Sequence, residues 1–305
     1  MFRRERRPRR LVRRPLSEAP NEPTSLPAPD PSRRRRAAVV KVHVATLTTV
    51  EILAYALASA LYLGYLFTTR GPITRVAGIA LAVGVAAQLA DIGIRCFARQ
   101  SPVSSTPEAV AFVAFLIAAG TLLAGLRYKL TAAGAFAVPA ALTLLVLARV
   151  VPAEAEAPRM GSLGMVHIFL ATTGVAVFAL AAVLAMLYLV QERRLQHKRF
   201  DRVGREAPLA TLDRLALRCV SLGFPIFSVA LVTGAIWIAR LGGVASDQAR
   251  RPEYLIAVAA WLAFGALLVA RVGAGWRGSR AAWLTLGGFG GTLVVLFFYV
   301  LRSAV

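Results

Sequence analysis

Long uninterrupted apolar runs dominate the chain from about residue 44 to its end. Eight runs follow one another, and each is close to the roughly 20 residues that a helix needs to cross a bilayer. A spanning segment must pair its backbone polar groups internally, and the apolar residues do not alternate with a period of two, so the runs predict helices. We therefore predict an all-α integral membrane protein, a bundle of about eight transmembrane helices. The predicted spans are 44–67, 73–94, 108–126, 130–151, 163–190, 217–239, 254–272 and 281–301.

Composition agrees with a membrane solvent. Hydrophobic residues make up 57% of the 305 residues and charged residues only 17%, against about 25% charged in ordinary soluble chains. Two cysteines exclude a disulfide scaffold and a structural zinc site. The sequence shows no Ser-His-Asp set, phosphate-binding glycine loop or metal-ligand cluster. We therefore expect a protein that is not an enzyme.

The first 41 residues differ from the rest of the chain. They hold 13 Lys and Arg residues and many prolines, a composition that cannot bury apolar area and predicts disorder. No short apolar core follows the N-terminus, so we expect no cleavable secretory signal. We predict two domains: a basic, Pro- and Arg-rich disordered tail over 1–41 and a transmembrane domain over 42–305.

Basic residues in the loops predict the orientation. The odd-numbered loops carry 15 Lys and Arg residues, and the even-numbered loops with the C-terminus carry 8. The odd loops are therefore expected in the cytoplasm of a bacterium, with the protein multi-pass in the inner membrane. This places the N-terminus outside, which conflicts with its basic tail. Either the tail is cytoplasmic and the first run does not span the membrane over 44–67, or translation starts later, at Val39, Val40 or Val42. The net charge of +21 is then mostly a topology signal, and no nucleic-acid partner is needed to explain it.

Several short motifs occur in a characteristic order over about residues 50–300. They combine proline, glycine and charged residues at fixed places relative to the predicted spans. The motifs are SPVSSTPEAVAF (101–112), RYKLTAAGAFAVPAAL (127–142), VHIFLATTGVAVFALAAVLAMLYLVQERRLQ (166–196), LATLDRLALRCVSLGFPIFSVALVTGAIW (209–237) and GWRGSRAAW (275–283). In this order they resemble the cytochrome c assembly family of membrane proteins, which includes the CcsA/ResC haem-handling subunits and the HemX and YpjD-like proteins. The topology of that family also has its odd loops inside.

The resemblance implies a haem site at the outer side, but this chain lacks part of the family pattern. The segment 237–255 keeps Trp237 and has no further tryptophan. The family often has histidines where this chain has Gln88 and Val269, and another beyond the last helix, where this chain has none. His167 alone remains in register. The resemblance therefore does not imply bis-histidine ligation of haem here.

Four residues form the haem site that the resemblance implies: His167, Trp237, Glu108 and Arg95. His167 is the candidate ligand of a transiently bound haem iron, since a neutral imidazole can bind iron through one nitrogen while the other is held by a hydrogen bond. The alternative is a histidine hydrogen-bonded to a neighbouring helix. Arginines at this side are suited to haem propionates, since guanidinium binds carboxylate in bidentate fashion, but ordinary anchoring at helix ends also explains them.

Three further polar residues are expected at membrane depth: Glu51, Gln88 and Asp91. A carboxylate there costs roughly 2.5–3.5 kcal/mol on insertion scales and usually faces a partner or a cavity. Glu51 is spaced to share a helix face with Tyr55 and Tyr62. It either lines a path for a ligand or makes a hydrogen bond between helices. Asp91 and Arg95 are spaced for an ion pair within one helix, and Glu108 is expected nearby.

We predict a haem-handling membrane subunit in cytochrome c assembly, which binds and delivers haem together with other assembly subunits. One alternative is a HemX-like regulatory protein whose basic loop 191–218 binds a cytoplasmic partner, for instance an enzyme of tetrapyrrole synthesis. A second alternative is a small-molecule transporter, which the carboxylate of Glu51 at membrane depth suggests.

Overall fold

Helices account for all the regular secondary structure in the described part of the chain. The computed structural model describes residues 31–68, 71–97, 101–128, 130–150, 161–198, 207–240 and 252–303. The helices within these ranges are α1 (Pro31–Thr68), α2 (Gly71–Phe97), α3 (Thr106–Tyr128), α4 (Thr131–Val150), α5 (Ser162–Gln196), α6 (Leu209–Arg240), α7 (Pro252–Gly273) and α8 (Ser279–Ser303). All eight contain a segment long and apolar enough to cross a membrane. This confirms the predicted all-α multi-span bundle.

Two helices begin earlier than their apolar runs. Helix α1 begins at Pro31, inside the tail for which the sequence predicts disorder, and residues 1–30 lie outside the described ranges. Proline is favoured at the first helical position, and the arginines and alanines that follow are good helix formers. Helix α6 begins at Leu209 instead of 217. Its first turns are amphipathic, with Leu212 buried beside the polar Asp213, and a criterion based on continuous apolar runs misses such turns.

Helix α5 is the central helix of the bundle. It contacts α3, α4, α6 and α8, and it is the most buried of the spans. Its Phe178 is completely buried and stacks on Phe264 of α7, with ring centroids 3.7 Å apart, and packs edge-on against Phe227 of α6. Such aromatic pairs stabilise the packing beyond their buried area. The residues of α5 are therefore held in fixed positions relative to α6 and α7.

Helix α1 packs on the bundle mainly through two tyrosines. Tyr55 and Tyr62 are both buried, as the shared-face spacing predicts. The Tyr55 ring lies against Gly84 of α2, and the Tyr62 ring lies against Gly134 of α4. A Cβ atom at Gly84 would overlap the Tyr55 ring, and one at Gly134 would lie 2.7 Å from Cε1 of Tyr62. Glycine is required at both positions because the rings occupy the space of a side chain.

The described surface carries many large apolar side chains. They are distributed over α1, α2, α3, α6 and α7, and in a soluble monomer such a surface would be unusual. Examples are Leu53, Ile79, Leu123, Leu222, Leu262 and Val269. Together with the eight spans, this surface identifies a multi-pass membrane protein.

The contact between Tyr55 and Gly84 gives a test of α1 packing. We expect Gly84→Ala to lower the free energy of unfolding by about 1–3 kcal/mol, because the added methyl overpacks the site. The matched control is Gly93→Ala in the same helix, where a Cβ meets open space and alanine favours the helix by up to about 1 kcal/mol. Thermal unfolding of both variants in one detergent compares them. Equal effects of the two substitutions would contradict the packing described here.

Candidate functional site

Polar residues cluster at one end of the bundle. We call this the outer end, because the loop charges predict that it faces outside. It is formed by the beginning of the α1 span (Thr46–Thr68), the starts of α3, α5 and α7, and the ends of α2, α4, α6 and α8. The opposite end is called the inner end. The orientation itself stays a prediction, and so does the side of the basic tail.

Arg149 joins three helices at the outer end. It lies near the end of α4, and its Nη2 donates to Oε2 of Glu51 on α1 and to Oδ2 of Asp91 on α2, both at 3.3 Å. Glu51 is fully buried and Asp91 nearly so. An ionised carboxylate inside a membrane is energetically unfavourable without a partner. The Arg149 guanidinium is the cationic partner of both carboxylates. Glu51 therefore bonds between helices, which was one of its two predicted roles.

Arg95 continues this network to α3. Its Nε donates to both oxygens of Asp91 at 3.0–3.1 Å, and its Nη1 donates to Oε1 of Glu108 at 3.2 Å. The other oxygen of Glu108 accepts from the hydroxyl of Ser104. The predicted pairing of Asp91 with Arg95, and the predicted closeness of Glu108, are thus both confirmed. We call Glu51, Asp91, Arg95, Glu108 and Arg149 the outer network.

Gln88 connects α1, α2 and α3 just below the outer network. Its Oε1 accepts from the Tyr55 hydroxyl at 2.8 Å, and its Nε2 donates to the Ala111 carbonyl at 3.0 Å. Gln88 is fully buried. Both ends of the amide are therefore used for bonds between helices.

His167 lies between α5 and α6, also at the outer end. Its Nδ1 is 2.7 Å from the carbonyl oxygen of Ala230, and a carbonyl only accepts, so Nδ1 carries the proton. In the neutral ring, Nε2 then bears a lone pair, and no group in the described part of the chain makes a hydrogen bond to it. The ring centroid is 6.0 Å from that of Trp237. The predicted haem-site pair of His167 and Trp237 is therefore brought together.

Gly234 leaves the space in which the His167 ring sits. A Cβ atom at this position would lie 2.7 Å from Cε1 and 3.0 Å from Nδ1 of His167. The glycine of the Thr-Gly-Ala-x-Trp motif on α6 therefore has a steric role. It lets the imidazole approach the α6 backbone closely enough to reach the Ala230 carbonyl.

The inner end has its own ion pair. Both Nη atoms of Arg271, near the end of α7, donate to the two carboxylate oxygens of Asp213 at 2.8 Å, and the Gly278 backbone N–H adds a third bond to Asp213. Gly278 has a φ of +72°, which favours glycine. This fork ties the start of α6 to the end of α7 and to the turn before α8.

The structure brings the predicted site residues together as two separate sets. Arg95, Glu108, Asp91, Glu51 and Gln88 lie among α1–α4, whereas His167 and Trp237 lie between α5 and α6. Among the described residues, no hydrogen bond or ion pair links the two sets. An aromatic contact lies between the two sets: Phe112, one turn after Glu108 on α3, contacts Phe169, two residues after His167 on α5, with ring centroids 5.5 Å apart.

His43 and His197 join neither set, because the His43 side chain is not described and His197 lies at the inner end. Arg99, Arg250 and Arg251 lie outside the described residues.

Sequence reasoning missed three of the charged partners. Arg149 and Arg271 were counted only as loop cations, and Asp213 was noted only as part of a motif. Arg149 is a single cation within the last turn of an apolar run, and this position could have marked it as a residue that needs a partner. The sequence did not indicate that the partner is Glu51, which is 98 positions away.

Comparison with known proteins identifies the family. A family model described as Cytochrome C assembly protein matches residues 75–304, which is most of the chain. The chain belongs to this family. The match confirms the assignment that the ordered motifs suggested. It begins within α2, so α1 precedes the matched region.

Individual relatives of this cytochrome c assembly protein match over shorter stretches. A protein named cytochrome c biogenesis protein CcsA from Synechococcus elongatus is 39% identical over 80 residues, 26% of this chain and 24% of that protein. A protein of the same name from Picosynechococcus sp. is 37% identical over 79 residues, 26% and 23% of the two chains. One from Guillardia theta is 29% identical over 141 residues, 41% and 46% of the two chains. The chain therefore spans less than half the length of each of these relatives.

Two positions show how this chain differs from the family pattern implied by its motifs. Gln88, where the family often has a histidine, is buried and bonded on both sides. Val269, where a second histidine is frequent, is 72% exposed on the bundle surface. At the outer end, His167 is therefore the one histidine whose side chain the structure describes.

The Arg271–Asp213 fork predicts a difference between arginine and lysine. Lysine cannot donate two parallel hydrogen bonds to one carboxylate, so we expect Arg271→Lys to lower the free energy of unfolding by about 1.5–3 kcal/mol. The measurement is thermal unfolding in detergent, with Arg277→Lys as the control, because Arg277 is exposed on the same turn. A loss no greater than that of Arg277→Lys would show that the fork does not stabilise this end.

Proposed function

We propose that this cytochrome c assembly family member acts in cytochrome c biogenesis as a non-enzymatic membrane subunit that binds haem and presents it at the outer end. Membership of the family supports the biogenesis role. The names of the CcsA relatives support it as well. Haem is the cargo in this proposal, and the residues that hold it are those between α5 and α6.

The observation that carries the haem proposal is the hydrogen bond from His167 Nδ1 to the Ala230 carbonyl. Metal-ligating histidines characteristically donate their second ring N–H to a carbonyl or carboxylate, which fixes the tautomer and the ring orientation. The same bond leaves Nε2 unprotonated and without a protein partner among the described residues. The donor chemistry therefore fits one axial ligand to haem iron.

Neighbouring residues suit a large flat apolar ligand. Trp237 lies beside the imidazole, while Met165, Val166 and Phe169 are exposed apolar side chains on the same turns of α5. Arg240 is exposed one turn beyond Trp237, at a distance along α6 from which a guanidinium can meet a propionate. Arg95 is less suited to a propionate, because two of its nitrogens already donate to Asp91 and Glu108.

We place the protein in the inner membrane of a bacterium, with other cytochrome c assembly subunits as its partners at the outer end. The geometry does not favour the transporter alternative, since the carboxylate of Glu51 is paired with Arg149 inside the bundle. The basic loop 191–218 of the regulatory alternative includes residues 199–206, which lie outside the described part of the chain. That alternative stays a prediction.

Haem binding through His167 is directly testable by absorbance. We expect the purified full chain in detergent to bind added haemin with a shift of the Soret band, because Nε2 is presented as a ligand. His167→Ala should weaken this binding at least tenfold, about 1.4 kcal/mol. Titration of the Soret shift against haemin concentration measures both proteins.

His197→Ala is the matched control. His197 also places its Nδ1 against a backbone carbonyl, that of Arg193 at 2.8 Å, but it is exposed at the inner end of the same helix. We expect this variant to bind haemin like the parent protein. If the parent gives no Soret shift, or if the two alanine variants behave alike, the proposed haem role of His167 is wrong.

Gly234 gives a second test that leaves the ligand itself in place. We expect Gly234→Ala to displace the imidazole, because the new methyl would lie 2.7 Å from Cε1 of His167, and to weaken haemin binding about tenfold or more. Gly125→Ala is the control, since a Cβ there has no neighbour within 4 Å. Unchanged haemin affinity in Gly234→Ala would argue against the ring position as the determinant of binding.

A further inference from the structure

The outer network contains unequal numbers of acidic and basic groups. Its carboxylates are those of Glu51, Asp91 and Glu108, and its guanidiniums are those of Arg95 and Arg149. With every group ionised, the network would carry an excess negative charge. A buried charge without a partner is costly, and such a group characteristically neutralises by taking up a proton.

The excess charge is concentrated at Glu51. Both oxygens of Asp91 accept hydrogen bonds from Arg95, and one of them also accepts from Arg149. Both oxygens of Glu108 are bonded too, one to Arg95 and one to Ser104. Glu51 has one bonded oxygen, Oε2, and it shares the donor nitrogen of Arg149 with Asp91.

In the part of the chain that the structure describes, the second oxygen of Glu51 has no hydrogen-bond partner. Oε1 is buried without a hydrogen bond, in a side chain that is 0% exposed. An ionised carboxylate oxygen in this position would be an unsatisfied acceptor, which costs the full desolvation of that group. A protonated Oε1 is an unbonded donor, but it removes the buried charge, which is the larger cost, and the carboxyl group keeps Oε2 as an acceptor for Arg149.

We propose that the outer network binds one proton, held on Oε1 of Glu51, and that this proton is coupled to the docking of α1. The proton comes from the aqueous phase at the outer end, where Arg149 and Glu108 are each about one-fifth exposed. The charged groups that face Glu51 are Arg149 from α4 and Asp91 with Arg95 from α2.

Loss of the proton would place a second negative charge next to Asp91, on the same nitrogen of Arg149. Like charges that share one site repel, so α1 would be held less firmly. Because α1 precedes the region matched by the family model, this proton site depends on a helix outside that match.

Infrared spectroscopy of the purified full chain tests the proton directly. We expect the C=O stretch of a protonated carboxylic acid at neutral pH, shifted on exchange into D₂O and lost in Glu51→Gln. Glu192→Gln, near the inner end of α5 and outside the outer network, should keep the band. Absence of the band in the parent protein, or its persistence in Glu51→Gln, would overturn the proposal.

Thermal unfolding gives an independent comparison of two amide variants. Glutamine resembles protonated glutamic acid, so we expect Glu51→Gln to unfold within about 2 °C of the parent protein. Asp91→Asn should unfold about 5–10 °C lower, since it removes a carboxylate shared by two arginines. Equal losses would show that Glu51 is ionised and overturn the proposal. If Asp91→Asn does not fold, the infrared comparison of the parent with Glu51→Gln decides.

A bound metal cation is the competing way to neutralise the network. In that case the parent protein would unfold at temperatures that depend on whether Na⁺ or K⁺ is present at constant ionic strength, and the carboxylic acid band would be absent. We expect no such dependence on the cation. A clear preference for one cation without the band would overturn the proton assignment.

Discussion

The pairing of charged side chains inside the bundle is the constraint on which the outer end depends. A membrane core offers polar groups no water, so each ionised side chain must find a partner on another helix or remain costly. Arg149 meets this requirement for α1 and α2 at once, because one of its nitrogens reaches both Glu51 and Asp91. The position of α1 therefore follows from charge satisfaction as much as from apolar packing.

Glycines make the close approaches possible. Gly84 and Gly134 admit the rings of Tyr55 and Tyr62, so that α1 can present Glu51 to Arg149 while Leu53 and Leu57 stay exposed on its other face. Gly234 of α6 likewise leaves room for the imidazole of His167 of α5. At Gly84 and Gly234 a polar contact accompanies the close approach: the Tyr55 hydroxyl donates to Gln88, and His167 Nδ1 donates to the Ala230 carbonyl.

The sequence predicted the bundle well, because long apolar runs have few other structural solutions. It also predicted the Asp91–Arg95 pair, since spacing along one helix determines which residues are neighbours. It did not predict the partners of Arg149 or the Asp213–Arg271 fork. Those contacts join residues far apart in the chain, and their geometry depends on how the helices are arranged. The early start of α6 was missed because amphipathic turns continue a helix beyond its apolar run. The early start of α1 was missed because its first turns are formed by proline and by good helix formers that precede the run.

The contacts of Gln88 bear on the place of the proposed ligand site. The family often has a histidine at this position. Here the amide oxygen accepts from Tyr55 of α1, and the amide nitrogen donates to the Ala111 carbonyl of α3, so both ends already bond between helices. Tyr55 belongs to a helix that precedes the family match, and its hydroxyl is the hydrogen-bond donor to the Gln88 amide oxygen. A ligand site among α1–α3 would require α1 to move away from Gln88. The site between α5 and α6 requires no such movement, because Nδ1 of His167 is held by a backbone carbonyl and Nε2 remains available.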